Sequence, residues 1–295
     1  MALGGIGIVL IVLVSLAPAV SRPGGARYAV GAKTFTEQYI LAALMEQRLG
    51  ATGLKASRRE GLGSSIIFNA LTGGEIDAYV DYSGTIWANQ MKRTDVKPRA
   101  EVLAEMTPWL ATNHRVKLVG ELGFENAYAL AMPRKRATEL GIRTIADLAR
   151  HAPNLTGAGD YEFFSRPEWT AIRDTYGIKF REQRTMQPEF MYAAAGAGEV
   201  DVISAYTSDG LIAKYDLVVL EDPRHAIPPY DAILLVSPRR SDDAAFIAAL
   251  QPLIGAIDVA SMREANFRAS SGANSMTADE AAMWLWEKVQ KKQGS

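Results

Sequence analysis

The feature that most constrains this chain is one short pattern that occurs twice, far apart. Gly74-Glu75-Ile76-Asp77 returns as Gly198-Glu199-Val200-Asp201, 124 residues further on. In each copy a tyrosine stands eight residues after the glycine, Tyr82 and then Tyr206, and a hydroxyl residue follows it, Ser83 and then Thr207. The separation is too long for a solenoid, whose period runs about 20–50 residues. Two similar lobes, each ending a strand with a tyrosine at a helix start, would produce it. Ligands of open α/β sheets bind beyond the carboxyl ends of the strands, so two facing lobes would aim both tyrosines into one cleft. Short matches of this kind also arise by chance, and the pattern alone does not separate the two readings.

Local signals agree with an α/β chain. Arg27–Gly31 reads as a strand; Thr34 and Glu37 have the spacing of a capping box, with Ile40, Leu41, Leu44 and Leu49 at helical intervals behind them and Gly50 as a stop. Gly63–Leu71 reads as a helix broken by Gly73-Gly74. Ile76–Val80 is a strand, and Asp81–Thr85 turns into another helix. Strand signals at Ala127–Ala131, Leu155–Ala158, Leu217–Leu220 and Ile233–Val236 alternate with helical ones at Ile145–Ala149 and Trp169–Tyr176. This alternation predicts mostly parallel sheets. A second capping box, Thr277 with Glu280, opens a last helix whose Ala281, Trp284, Leu285, Lys288 and Val289 share one stripe, with Trp284 as a core or docking anchor.

Several classes of function are excluded or disfavoured by composition. The chain has no cysteine, so disulfides, thiolate metal sites and a lipid-anchoring N-terminal cysteine are impossible. The three histidines lack metal-ligand spacing, and a formal net charge of -1 offers nucleic acid no basic field. No nucleophile, phosphate-loop or dinucleotide motif occurs in the body of the chain. A non-enzymatic binding protein without cofactor or metal is the expectation. Residues 1–20 carry no charged side chain, and Ala17-Pro18-Ala19 resembles a cleavage site. They read as a signal peptide, a membrane anchor or the remnant of a fused permease, each of which places the remainder outside the cytoplasm.

Four tyrosines stand beside turn signals: Tyr82, Tyr128, Tyr206 and Tyr230, the last after Pro228-Pro229. Singly, each reads equally as a half-buried packing residue. Together they suit a quaternary ammonium, whose diffuse charge and apolar exterior favour aromatic faces, each contributing about 0.5–2 kcal/mol. Lys33, just before a helix N-terminus, reads either as part of an anion site or as a solvated loop lysine.

The stretches Val30–Gln38, Gly74–Thr85, Ala205–Gly210 and Leu220–Tyr230 resemble the glycine betaine/choline/carnitine substrate-binding family of osmoprotectant ABC transporters, and the similarity runs from about residue 27 to the C-terminus. The resemblance implies a two-lobed periplasmic-binding-protein fold of type II, hinged between lobe 1 (27–126 plus 234–295) and lobe 2 (127–233). It implies a cage of Tyr82, Tyr128, Tyr206 and Tyr230 around the ammonium, with Asn126 lining the methyl groups. Lys33, Thr85 and Arg166 match the positions that meet a ligand carboxylate in betaine binders. Because choline would leave Lys33 and Arg166 buried without a counter-charge, at a cost of several kcal/mol, a betaine is expected over choline. Carnitine, proline betaine and ergothioneine stay open. The implied partners are a small quaternary amine and membrane permease subunits, the protein itself being a monomer; a sensory module on the same fold is the alternative, since fold does not fix function.

Overall fold

The computed structural model describes residues 28–270 and 275–293, so the leader at 1–20 and Arg27 lie outside the described residues. The strands are β1 (Tyr28–Gly31), β2 (Ala56–Arg59), β3 (Ala78–Tyr82), β4 (Lys117–Glu125), β5 (Tyr128–Pro133), β6 (Thr156–Gly159), β7 (Glu182–Thr185), β8 (Val202–Tyr206), β9 (Leu217–Val219) and β10 (Asp231–Val236). They form two sheets, β2-β1-β3-β10-β4 and β7-β6-β8-β5-β9. The two orders are the same pattern, with β6, β7, β8, β5 and β9 in the places of β1, β2, β3, β10 and β4.

The sheets are mixed rather than mostly parallel. β1, β2 and β3 run parallel, as do β6, β7 and β8, but β10 lies antiparallel to β3 and β4, and β5 antiparallel to β8 and β9. The reason is connectivity. β4 ends where the chain passes into the other sheet, so β5 begins at that end and must run back; β10 does the same on the return.

Helices cover both faces, which is why β10 (DAILLV) and β3 (AYVDY) are buried at every position rather than alternating. Leu234, Leu235 and Val236 are fully buried, and each such side chain stabilises by roughly 1.5–3 kcal/mol. β7 (EQRT) is exposed and charged, as suits an edge strand.

The internal repeat is structural. Gly74 and Gly198 both take positive φ, +74° and +78°, following the helices Ser64–Thr72 and Pro188–Ala197. A left-handed residue there stops the helix and turns the chain into the next strand. Asp77 then accepts the N–H of Ala29 in β1 at 2.8 Å, and Asp201 accepts that of Thr156 in β6 at 2.9 Å.

The N-terminal capping box is not formed. The first helix runs Thr36–Ala51 with Phe35 as N-cap, and Glu37 turns inward and is buried. The other box holds, with Glu280 N–H donating to Thr277 Oγ1 at 3.2 Å and Thr277 N–H to Glu280 at 2.8 Å. In the last helix Ala281, Leu285 and Val289 are buried and Trp284 is half-buried under the Arg268 guanidinium, 4.6 Å away, whereas Lys288 stays exposed. A charged head at the stripe's margin keeps its water.

Candidate functional site

The hydroxyl after each repeated tyrosine ties down one of the two crossings between sheets. Ser83 Oγ donates to the carbonyl of Pro229 and accepts from the N–H of Asp231, both at 2.9 Å. Thr207 Oγ1 donates to the carbonyl of Glu125 at 3.3 Å and accepts from the N–H of Ala127 at 3.0 Å. The residue between each clipped pair is Tyr230 in one crossing and Asn126 in the other. Repeat and crossings are therefore one construction, made twice.

The four tyrosines converge at that construction. Tyr82 ends β3, Tyr206 ends β8, Tyr128 opens β5, and Tyr230 immediately precedes β10. Tyr128 is the centre: its ring lies 4.8 Å from Tyr206 and 5.9 Å, edge-on, from Tyr230. Tyr82 joins through Phe35, whose ring stacks 6.2 Å from Tyr82 and 6.4 Å from Tyr206. Phe35 is thus held between tyrosines of the two sheets while remaining 38% exposed. Burial raises the phenols of Tyr82, Tyr128, Tyr206 and Tyr230 above their ordinary value, so all four are neutral donors near pH 7.

The charged residues are arranged differently from expectation. Lys33 is buried and paired with Asp81, which also accepts the hydroxyl of Tyr79 and the N–H of Tyr82. Its ammonium lies 5.2 Å over the Tyr82 ring. The Arg166 guanidinium lies 5.0 Å over Tyr128 and grips Glu168 through Nε at 3.1 Å and Nη2 at 3.2 Å. Its Nη1 reaches Glu162 at 3.0 Å. Both cations therefore already have carboxylate partners, and the premise that choline would leave them without a counter-charge falls. Thr85 is buried at the end of the Ser83–Thr85 turn, with a π-helical turn Ile86–Gln90 directly after it.

Glu37 is the residue the capping pattern concealed. Its Oε1 accepts from Tyr82 at 2.6 Å and from Asn126 Nδ2 at 3.0 Å, and its Oε2 from Asn266 Nδ2 at 2.7 Å. Burial raises its carboxyl, and those donors oppose the rise. Asn266 also holds the carbonyl of Ser208 at 2.9 Å. Asn126 Oδ1 is buried with no partner. Asp160 and Glu168, which sequence reasoning passed over, accept the hydroxyls of Tyr206, at 3.0 Å, and of Tyr230. A positional signal existed: Glu37 and Glu168 each stand second in the first long helix after β1 and β6.

Known proteins resemble this chain over most of its length. A family model described as the substrate binding domain of ABC-type glycine betaine transport system matches residues 26–288. The glycine-betaine-binding protein of Pseudomonas aeruginosa is 32% identical over 254 residues, covering 81% of each chain. The ergothioneine transport permease/ergothioneine binding protein of Helicobacter pylori is 28% identical over 218 residues, which is 70% of this chain and 38% of that protein. The chain thus spans well under half of that relative. The crystal structure of a glycine betaine/carnitine/choline ABC transporter superposes with a TM-score of 0.76 at 25% identity, covering 90% of this chain and 98% of that one. The two mixed sheets are those of a type II periplasmic binding protein.

Proposed function

The chain belongs to the substrate-binding family of ABC-type glycine betaine transport systems, and from that membership we propose that it captures a quaternary amine outside the cytoplasm and hands it to a membrane permease. Proteins of this family are transport components and not enzymes; they act with ABC permease partners. Among the described residues no helix is long and apolar enough to cross a membrane.

In this proposal the ammonium is held by the faces of Tyr82, Tyr128, Tyr206 and Tyr230, with Phe35 as a fifth ring. The single observation that supports it best is the convergence of these rings, from both sheets and a crossing, on Tyr128 and Phe35. A quaternary ammonium has no N–H to donate, so buried aromatic faces are its strongest partners. Asn126, Thr85, Lys33 and Arg166 complete the wall. The two lobes close by bending at the crossings, and the second boundary moves from 233/234 to just before Asp231, because β10 pairs along its whole length with the first sheet. Calorimetric titration of the purified protein with glycine betaine, choline, carnitine and ergothioneine tests the reading. Saturable binding of at least one is expected, weakened at least tenfold by Tyr206→Ala; binding of none would overturn it.

A further inference from the structure

We infer that the site is built for a ligand of net positive charge, a quaternary ammonium without a carboxylate, and that Glu37, Asp160 and Glu168 set this preference. The inference rests on the reading of the tyrosine cluster as a quaternary-ammonium site and narrows it.

Three of the four tyrosines donate their hydroxyls to a buried carboxylate: Tyr82 to Glu37, Tyr206 to Asp160 and Tyr230 to Glu168. The carboxylates come from three separate segments, and their residues are only 3%, 8% and 1% exposed. Every described partner of all three is a donor. Asp160 takes the N–H groups of Glu162 and Phe163 at 2.8 and 2.9 Å. Glu37 and Glu168 stand in the first turn of the helices Thr36–Ala51 and Pro167–Tyr176, where free N–H groups and the helix dipole favour a negative charge. All three carboxyl groups are thus surrounded by hydrogen-bond donors.

Charge is not balanced across the cluster. Asp81 offsets Lys33, and Glu168 offsets Arg166. Glu37 and Asp160 meet only neutral donors. Two acidic groups with no cation in contact therefore stand at the hydroxyl ends of Tyr82 and Tyr206. An ammonium on those faces feels each charge across one phenol, in surroundings that screen far less than water. A zwitterion gains the same attraction but brings a carboxylate that both charges repel. It also finds Lys33 and three nitrogens of Arg166 already engaged, and displacing Asp81 or Glu168 would strand a buried carboxylate.

The test is a paired titration of the full protein with choline and glycine betaine in one buffer, with tetramethylammonium as a bare cation. Choline should bind at least tenfold tighter than glycine betaine, a difference of about 1.4 kcal/mol, and tetramethylammonium should bind too. Glu37→Gln and Asp160→Asn keep an acceptor for each phenol and remove the charge. Each should shrink the choline-to-betaine ratio at least threefold. Equal or tighter binding of glycine betaine overturns the inference and leaves the quaternary-ammonium reading standing. So does a variant that weakens both ligands by one factor. Binding of no quaternary amine overturns both. If neither variant folds, the wild-type ratio decides.

Discussion

The backbone N–H of Asn126 donates to the carbonyl of Tyr230 at 3.0 Å. These two residues are the midpoints of the crossings between sheets, and each is flanked by groups bonded to one hydroxyl, Thr207 for Asn126 and Ser83 for Tyr230. The side chains of the same two residues enter the proposed site, Asn126 against Glu37 and Tyr230 against Glu168. If the lobes bend at the crossings as proposed, Asn126 and Tyr230 move directly, with no intermediate element to carry the motion.

Removing a clip should be felt in stability. Thr207→Val keeps the shape and leaves the N–H of Ala127 without its acceptor. An unsatisfied, largely buried donor costs roughly 1–3 kcal/mol. Urea unfolding should show a loss of about 1–2 kcal/mol, with a similar loss for Ser83→Ala. A change under about 0.3 kcal/mol in both would mean the crossings do not depend on these hydroxyls.

The repeated aspartates make a second, graded test. Asp77 is fully buried and holds Arg239 at 2.7 Å and Arg240 at 2.9 Å besides the Ala29 N–H. Asp201 has the matching backbone bond, but its side chain is 22% exposed and its arginine, Arg136, is 3.3 Å away. Asp77→Ala should lose about 3–4 kcal/mol and Asp201→Ala about 1–2 kcal/mol. Equal losses by thermal or urea unfolding would contradict the burial argument.

Acidity at the crossings has a defined sign. Asp231 pairs across the sheet with Glu125, and Arg99 bridges them, at 2.8 Å to Asp231 and 3.2 Å to Glu125. Burial first, then the neighbouring Glu121 and Glu125, push the Asp231 carboxyl up to about 6 against the pull of Arg99. An unfolded aspartate titrates near 3.9. Between those values the folded protein keeps a proton that the unfolded chain has released. The stabilising contribution is full below about pH 4 and lost as pH rises through about 6. Asp231→Asn should thus be more stable than the parent by about 1–2 kcal/mol at pH 7.5, and that margin should vanish as pH falls from 6 to 4. A margin independent of pH would rule out Asp231 as the titrating group.

Much of this architecture is legible in the chain, and the gaps have physical causes. Tyr82 and Tyr206 follow from the repeat because a left-handed glycine, a strand-opening aspartate and a terminal hydroxyl must occur together in each lobe. Strand direction was not legible, because parallel alternation is a local signal while β5 and β10 are reversed by where the chain crosses. Glu37 was masked by a competing local pattern. A cap contributes about 1 kcal/mol, whereas three buried donors to one carboxylate outweigh it, so tertiary bonding overrides the cap. The pairing of Arg166 with Glu168, two residues apart, matches no helical spacing rule, and only the fold reveals that it is buried.

Gly84 packs directly against the ring of Tyr230. A Cβ on Gly84 would lie 2.6 Å from the ring's Cδ2 and closer still to its Cε2, far inside contact distance. The ring cannot simply rotate away, because its hydroxyl is fixed on Glu168 and its edge on Tyr128. Gly84→Ala must therefore shift Tyr230 or the Ser83–Thr85 turn. Overpacking of this kind costs about 1–3 kcal/mol of stability. Because the ring that moves is a proposed ligand face, affinity for a quaternary amine should fall at least tenfold in the same variant. Gly63→Ala is the control, since a Cβ there meets only the end of the Ile66 side chain at 3.9 Å and should leave affinity unchanged. Melting temperature and calorimetric titration of both variants check the pair: a Gly84→Ala protein that binds normally would show that Tyr230 does not contact the ligand.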